Sequence, residues 1–390
     1  MLKHKGFLKA IRMTNQQSAL STEKKFLFYC TLLLILSSAR ALVYLGYTVY
    51  RSIKIYSYIK SSQRGLQGKV FKADTELGFA HIPDAQGLHV FPVGPPIPMR
   101  FDKHGFRVPV GDTPTELNER PLVLSLGCSF TYGDAVYARN TYPYLVGQSL
   151  RGTTKNAGCC SCGLSQMLIL AGRLIPSHKP DYLIVQYSPW LISRSLSPFA
   201  PTYGGKSPGP YFYGDEGLAL HPPVFLTNLA NLHLESYRNT PKSIIDFISF
   251  LWNAGLPQFI YDDFNMSRYT FKRTIGVIPK PATDENNIVR YVYEEIASLA
   301  RKNGSRLIIV VLGKSADPVP VPTHLFPSDS IIVDAHTTLL ERLSIVNDEH
   351  YKKAYAHWRG SPPTIVDTHP NEKAHQIIAD EILSKIKGRE

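Results

Sequence analysis

The sequence predicts a three-layer α/β/α domain around a mostly parallel sheet of about five strands, with an inserted cap segment. Continuous apolar runs such as PLVLSLG, DYLIVQYS and RLIIVVLG are typical of strands buried on both faces. Amphipathic segments alternate with these runs, as expected for helices that cover both faces of a parallel sheet. The alternation stops at residues 195–281 and then resumes, which indicates the insertion.

The amphipathic pattern is clearest in NNIVRYVYEEIASLARKNG. It places Ile288, Val292 and Ile296 on one helical face, with Thr283 or Asp284 as the N-cap. The C-terminal segment NEKAHQIIADEILSKI has the same periodicity. Both segments therefore predict helices that pack one face on the sheet.

Composition supports a folded protein of ordinary size. The chain has 390 residues, of which 44% are hydrophobic and 11% aromatic, enough to fill a core and to exclude a disordered chain. The net charge is +12, but the basic residues are spread along the chain rather than gathered in one patch with interleaved aromatics. We therefore expect no nucleic-acid partner.

The N-terminus combines a basic leader, residues 1–25, with an apolar segment, residues 26–50, that is long enough to cross a bilayer. Arg40 interrupts this segment, and a charge near the middle of a span costs about 2.5–3.5 kcal/mol on insertion scales. A membrane anchor is the favoured interpretation. A signal peptide cleaved near Ala39–Ala41, an interfacial helix and an ordinary amphipathic helix remain alternatives.

Charge around the apolar segment bears on its orientation. Six basic residues precede it, which favours a cytoplasmic leader and an extracytoplasmic main domain, periplasmic or at the cell surface, although four basic residues also follow it. The six basic residues before the segment are Lys3, Lys5, Lys9, Arg12, Lys24 and Lys25.

One further segment precedes the main domain of residues 119–390, and another is inserted in it. Residues 63–118 are rich in Gly and Pro and predict a small β-rich entry module laid against that domain. Within the 195–281 insertion, GPYFYGDEGLALHPP predicts a hairpin, whereas LTNLANLHLESY and KSIIDFISFLWNAG predict helices. The insertion's aromatics either line a groove or hold the cap in place, and the second is favoured; they are Tyr203, Tyr211, Phe212, Tyr213 and Trp252.

A serine follows the first strand of the main domain. In LVLSLGCSFTYGDAV, the apolar run ends at Gly127, and Cys128 and Ser129 come next. Ligands of open α/β sheets bind outside the carboxyl ends of the strands, so Ser129 is a candidate nucleophile.

Three segments together resemble the SGNH, or GDSL, hydrolase family over about residues 121–387, the insertion excepted. LGCSFTYGDAV resembles the first block, Gly-Asp-Ser-Phe-Thr-x-Gly, with Cys128 in place of Asp. NAGCCSCGLSQ resembles the second block, with Ser161 where Gly is usual, and DTHPNEKAHQIIA resembles the last. Residues 76–107 are similar to those of membrane-anchored bacterial members.

The resemblance implies a flavodoxin-like α/β/α fold and a serine-dependent acyl-enzyme reaction without a metal or cofactor. Ser129 matches the nucleophile, His369 the general base and Asp367 the carboxylate that holds the imidazole. Only Thr368 separates Asp367 from His369, whereas the commonest spacing in the family is two residues.

The resemblance also implies an oxyanion hole with donors from three blocks. The backbone N–H groups of Ser129 and Ser161 match the first two donors. The family's third donor, an Asn side chain, is absent, because Ser188-Pro189-Trp190-Leu191 stands in its place. Trp190 or another residue such as Asn156 substitutes, or the site is slow.

Rival residues for these roles have plainer explanations. In Asp334-Ala335-His336, we expect an Asp that caps a helix beside a surface His. We expect His375 to face a loop or solvent. Cys128 is the alternative nucleophile to Ser129.

The three clustered cysteines, Cys159, Cys160 and Cys162, are too close together to bind one tetrahedral zinc and have no His nearby. We therefore expect packed or loosely oxidisable thiols and no metal site.

These observations predict a serine esterase or deacylase that acts on ester-linked acyl groups of a glycan, a lipid or a small molecule. It would meet the membrane through its N-terminal segment. An O-acyltransferase that modifies an extracytoplasmic polysaccharide and a catalytically degenerate binding protein are the alternatives.

Overall fold

The computed structural model describes residues 21–62, 65–111, 119–202, 205–224 and 266–388, together with residues 243, 245 and 249. Most of the basic leader, Tyr203, Trp252 and the predicted helix at 226–237 lie outside the described residues, as does nearly all of the predicted helix at 242–255.

The N-terminal helix α1 runs from Thr22 to Ser62. Its segment Thr22–Tyr47 has a mean hydropathy of 2.0 and is long and apolar enough for a membrane anchor or a signal sequence. Apolar side chains along it are exposed, including Leu34, Leu42 and Val43. At about 1.5 Å per residue, this segment exceeds the hydrocarbon thickness of a bilayer.

The strands of the described chain are short and are numbered in chain order. They are β1 (Gly65–Gln67), β2 (Phe71–Asp74), β3 (Gly78–His81), β4 (Gln86–Val90), β5 (Ile97–Phe101), β6 (Arg107–Val108), β7 (Leu122–Leu126), β8 (Thr153–Asn156), β9 (Tyr182–Tyr187), β10 (Phe199–Thr202), β11 (Gly205–Pro208), β12 (Tyr211–Tyr213), β13 (Ala219–His221), β14 (Arg306–Val311), β15 (Ile331–Val333), β16 (His357–Arg359) and β17 (Thr364–Asp367).

The helices that follow α1 belong to the main domain and its insertion. They are α2 (Ser129–Tyr132), α3 (Tyr142–Ser149), α4 (Leu164–His178), α5 (Pro189–Ser195), α6 (266–274), α7 (Glu285–Lys302), α8 (Ala335–Arg342), α9 (Asp348–Tyr355) and α10 (Glu372–Lys387).

Five parallel strands form the centre of the main sheet in the order β8-β7-β9-β14-β15. Strands β7, β9 and β14 are almost wholly buried, as their apolar runs predict. Helix α4 packs with α7, and α10 packs with α3 and α8, so the sheet lies between two helical layers. The predicted α/β class and the mostly parallel centre are confirmed.

The sheet is wider than predicted because strands from residues 63–118 continue it. Within the described residues it has nine strands, and β6, β5, β4 and β1 extend it beyond β8 in antiparallel pairs. The junction is the pairing of Arg107 with Asn156. This single pair joins the antiparallel strands to the C-terminal end of β8.

The insertion contains the expected hairpin, β12 with β13. Tyr211 and Phe212 on β12 are fully buried, and the Phe212 ring joins the main core. Phe212 therefore holds the hairpin on the domain, whereas Tyr211 contacts other residues of the insertion, His221 and Tyr269.

Helix α7 shows how local sequence specifies this architecture. The Asp284 side chain accepts a hydrogen bond from the Asn287 N–H, so Asp284 is the N-cap. Ile288, Val292 and Ile296 are fully buried on the face that the periodicity predicts.

Candidate active site

Ser129 lies at the carboxyl end of β7, where it begins the short helix α2. The connecting Gly127 has no room for a side chain, since a Cβ there would lie 2.0 Å from the Thr131 Oγ1 and 2.6 Å from the Gln186 Oε1. The same Gln186 oxygen accepts a hydrogen bond from the Cys128 N–H at 3.0 Å. The strand-to-helix turn is thus held tightly, and Ser129 is only 5% exposed.

Ser129, His369 and Asp367 form a continuous hydrogen-bonded series. The Ser129 Oγ lies 2.9 Å from the His369 Nε2, and the His369 Nδ1 lies 2.7 Å from the Asp367 Oδ1. Because a carboxylate only accepts hydrogen bonds, the Nδ1 carries the proton and the Nε2 accepts from the serine hydroxyl. This arrangement lets the imidazole remove a proton from Ser129.

The short spacing between Asp367 and His369 does not prevent their contact. The Asp367 Oδ1 also accepts a hydrogen bond from the His369 backbone N–H at 2.7 Å. An Asp that bonds to the backbone two residues later forms a compact turn. That turn brings the imidazole back to the carboxylate with only Thr368 between them.

Aromatic side chains border the histidine. The Phe130 ring meets the His369 ring edge-on, with centroids 5.3 Å apart, and the Trp190 ring lies 5.0 Å from Phe130. The Lys314 ammonium lies 5.5 Å from the centre of the Trp190 ring. Trp190 is therefore one ring away from His369, at the carboxyl end of β9.

A second carboxylate, which the sequence analysis did not single out, approaches the histidine. The Asp134 Oδ2 lies 3.6 Å from the His369 Nε2, and the Asp134 side chain is buried. The Cys160 Sγ lies 3.5 Å from the Asp134 Oδ1. In the sequence, Asp134 could have been identified only by its position, five residues after the candidate nucleophile Ser129.

Arg107, also missed at first, holds the loop that carries Asp134. Its buried guanidinium donates hydrogen bonds to the carbonyls of Tyr132, Gly133 and Val136. It also lies 4.4 Å from the centre of the Tyr132 ring, and burial raises the pKa of that phenol. Arg107 comes from β6, so the residues before the main domain help to shape the site.

Asn156 holds the neighbouring turn and has its side chain committed to backbone groups. Its Nδ2 donates to the carbonyls of Thr131 at 3.0 Å and Tyr132 at 3.5 Å, and its Oδ1 accepts from the Gly158 N–H. These bonds account for both amide hydrogens, which argues against Asn156 as the missing oxyanion donor.

The turn that carries Ser161 is closed by a disulfide between Cys159 and Cys162, whose Cα atoms lie 5.6 Å apart. Two of the three clustered thiols are therefore oxidised, and the third, Cys160, is a buried free thiol, in agreement with the expectation of packed or oxidisable thiols. Ser161 has a φ of 65°, in the left-handed region that favours glycine. The Cys159 N–H donates to the Gly127 carbonyl and thereby ties the turn to the end of β7.

The rival histidines are both buried, contrary to the sequence-based expectation. His375 is fully buried on α10; its Nδ1 accepts a hydrogen bond from the Tyr142 N–H, and burial lowers its pKa to about 3. His336 is also fully buried, with its Nε2 2.9 Å from the Asp317 carbonyl. Asp334 caps α8 as expected, through the Thr337 N–H.

The buried Cys128 thiol is engaged next to the serine. Its Sγ accepts a hydrogen bond from the Gln186 Nε2 at 3.3 Å and lies 3.9 Å from the Ser129 Oγ. Among the residues that the structure describes, no group of three or more His, Cys, Asp or Glu side chains could hold a metal ion.

Comparison with known proteins yields distant similarities to solved structures. No protein-family model matches the chain, and no curated protein matches it. Among solved structures it is similar to LAE5, an α/β hydrolase from the metagenome of Lake Arreo, Spain, with 10% identity over 69% of this chain and 96% of that chain and a TM-score of 0.35. It is also similar to TesA, with 10% identity over 68% and 98% and a TM-score of 0.30. A catalytic mutant of Axe2, an acetylxylan esterase from Geobacillus stearothermophilus, has 12% identity over 70% and 96% and a TM-score of 0.33. At these values we draw no functional conclusion from them.

Proposed function

We propose that the chain is a serine esterase or deacylase of the SGNH type that removes ester-linked acyl groups from a glycan, a lipid or a small molecule. The observation that carries the proposal is the series Ser129–His369–Asp367, with atoms 2.9 and 2.7 Å apart at the carboxyl edge of a parallel sheet. Serine hydroxyls are weak nucleophiles at neutral pH, and this series supplies the base that activates one.

Acylation follows from the direction of these hydrogen bonds. The Ser129 Oγ attacks the ester carbonyl carbon while the His369 Nε2 takes the hydroxyl proton, and Asp367 stabilises the resulting imidazolium. The tetrahedral intermediate then expels the alcohol, to which His369 returns the proton. Water repeats the sequence on the acyl-enzyme and releases the carboxylic acid and free Ser129.

The negative oxygen of the tetrahedral intermediate needs hydrogen-bond donors. We assign the backbone N–H groups of Ser129 and Ser161, because Ser129 begins a helix whose first N–H groups lack helical partners and Ser161 has the backbone conformation of a glycine. The third donor assigned is the indole N–H of Trp190, whose side chain is half-buried near Phe130 and His369. Loss of one such donor costs about 100- to 1,000-fold in rate.

An extracytoplasmic site of action is part of the proposal. The apolar part of α1 would anchor the chain in the membrane, and the Cys159–Cys162 disulfide is of the kind that persists in oxidising compartments. The soluble domain would then work in the periplasm or at the cell surface.

Fluorophosphonate labelling of the full chain in detergent, followed by peptide mass spectrometry, tests the proposal. We expect one adduct on Ser129 that is lost in Ser129→Ala and His369→Ala and retained in His350→Ala, which removes an exposed histidine. A folded protein that takes no label would overturn the proposal and favour a binding protein. If the label reacts at Ser129, untreated enzyme is then given an acetyl ester and a sugar: release of free acetate indicates a hydrolase, and acetylation of the sugar indicates an acyltransferase.

A further inference from the structure

We propose that Asp134 is a second carboxylate partner of His369, which stabilises the protonated imidazole from its Nε2 side and thereby sets the lower pH limit of the reaction. This inference rests on the proposed function, in which His369 is the base. In that reaction, the proton taken from Ser129 resides on the Nε2, the atom that lies 3.6 Å from the Asp134 Oδ2.

The position of Asp134 is built into the fold. Its own N–H donates to the Ser129 carbonyl, and its neighbours Gly133 and Ala135 have φ values of 84° and 64°. Arg107 holds the carbonyls on both sides of it. A loop with two left-handed residues and a buried cationic clamp holds one conformation, so the distance between carboxylate and imidazole is maintained.

The physical effect of Asp134 is electrostatic. An opposite charge within about 4–6 Å favours the charged form of a titrating group, and a buried pair is screened little by salt. His369 therefore lies between two carboxylates, with Asp367 bonded to the Nδ1 and Asp134 facing the Nε2. Both carboxylates favour the protonated imidazole and so raise its pKa. Because His369 must lose this proton before it can activate Ser129, the raised pKa sets the lower pH limit of the reaction.

Other charged or titratable groups surround this pair without duplicating Asp134. His375 on α10 stays neutral, because burial lowers its pKa to about 3, and burial also lowers the pKa of His357 on β16. The Cys160 thiol contacts Asp134 from the opposite turn. The positive charge of Arg107, which holds the loop, opposes the effect of Asp134.

The test is the pH dependence of labelling at Ser129 in the full chain, measured as kobs against fluorophosphonate concentration from pH 5 to 9. The acid limb of this profile reports the base of the free enzyme. We expect Asp134→Asn to move its midpoint down by about one pH unit or more, so that the variant gains about tenfold at low pH relative to its own plateau. Asp134→Glu, which keeps the charge, should retain most of the wild-type profile.

Asp334→Asn is the matched control, because it removes the same charge at the same edge of the sheet and leaves a residue that also caps helices well. Its profile should equal that of the wild type. A profile of folded Asp134→Asn with an unchanged midpoint would overturn the inference.

Direct titration of the His369 ring protons by NMR separates this inference from the proposed function. If the wild type takes no label, the proposed function fails, while a pKa of His369 that falls in Asp134→Asn still supports the contact. If Asp134→Asn does not fold, Asp367→Asn is titrated instead: with Asp134 as the remaining carboxylate, a pKa of His369 above the ordinary value of about 6.5 is expected, and one at or below it overturns the inference.

Discussion

Removal of the Cys159–Cys162 disulfide should move the Ser161 N–H out of the oxyanion site. The disulfide closes a turn of four residues, and Ser161 inside it has a φ of 65°. A non-glycine residue pays about 1–2 kcal/mol in the left-handed region. Without the cross-link, the turn is free to relax toward a more favourable backbone conformation.

The two opposing energies are similar in size. For a closed loop of four residues, the chain-entropy relation gives a disulfide contribution of about 2 kcal/mol at 25 °C. If relaxation of Ser161 gains about 1–2 kcal/mol, the competent turn becomes about 5- to 30-fold less populated, since about 1.4 kcal/mol corresponds to a factor of ten. This remains below the 100- to 1,000-fold loss expected when an oxyanion donor is removed altogether.

The assay is the second-order rate constant of fluorophosphonate labelling at Ser129. We expect the double variant Cys159→Ser/Cys162→Ser to react about 5- to 30-fold more slowly than the wild type. Adding Ser161→Gly should restore most of the rate, because glycine adopts the left-handed conformation without the penalty. Ser161→Gly alone, with the disulfide intact, should react at least as fast as the wild type.

Two results would refute this reasoning. One is a folded double variant that labels at the wild-type rate, which would mean that the disulfide does not hold the donor. The other is a slow triple variant, which would mean that the loss has a cause other than the backbone strain at Ser161. Near-ultraviolet circular dichroism establishes whether each variant is folded.

Three further predictions concern residues that shape the site. Arg107→Met should lower the free energy of unfolding by about 3 kcal/mol or more in urea titrations, because three buried carbonyls each lose a charged donor, whereas exposed Arg120→Met should cost under about 1 kcal/mol. Equal losses would show that Arg107 does not hold these carbonyls. Gly127→Ala should abolish labelling or folding, since its Cβ would lie 2.0 Å from a neighbouring hydroxyl, and a normal rate with normal stability would disprove that packing. Burial lowers the pKa of His375 to about 3, so in the folded chain this residue stays neutral at a pH where the unfolded chain binds a proton. As the pH falls from about 6 to about 3, the wild type should therefore lose about 1.4 kcal/mol of stability per pH unit from this group. The plot of stability against pH for His375→Gln should be shallower by that slope, and parallel plots would show that His375 is not buried as a neutral group.

Much of the architecture could be predicted from the sequence because its signals are local. An unbroken apolar run predicts a buried parallel strand such as β9. For a helix such as α7, the periodicity of apolar residues predicts the buried face, and Asp284 predicts the start. The first and last blocks contain Ser129, Asp367 and His369, and the structure brings these three residues together. Their catalytic roles stay predictions until the labelling is done.

Only the tertiary structure decided which distant residues meet. The contacts of Asp134 with His369 and of Arg107 with the loop after α2 join residues from separate parts of the chain, so no short window of sequence contains them. His375 follows the same logic, because the packing of α10 against α3 buries an imidazole that local sequence would leave in solvent. Periodicity and motif spacing are properties of neighbours along the chain, whereas the charge and burial of an active site depend on the neighbours that folding brings together.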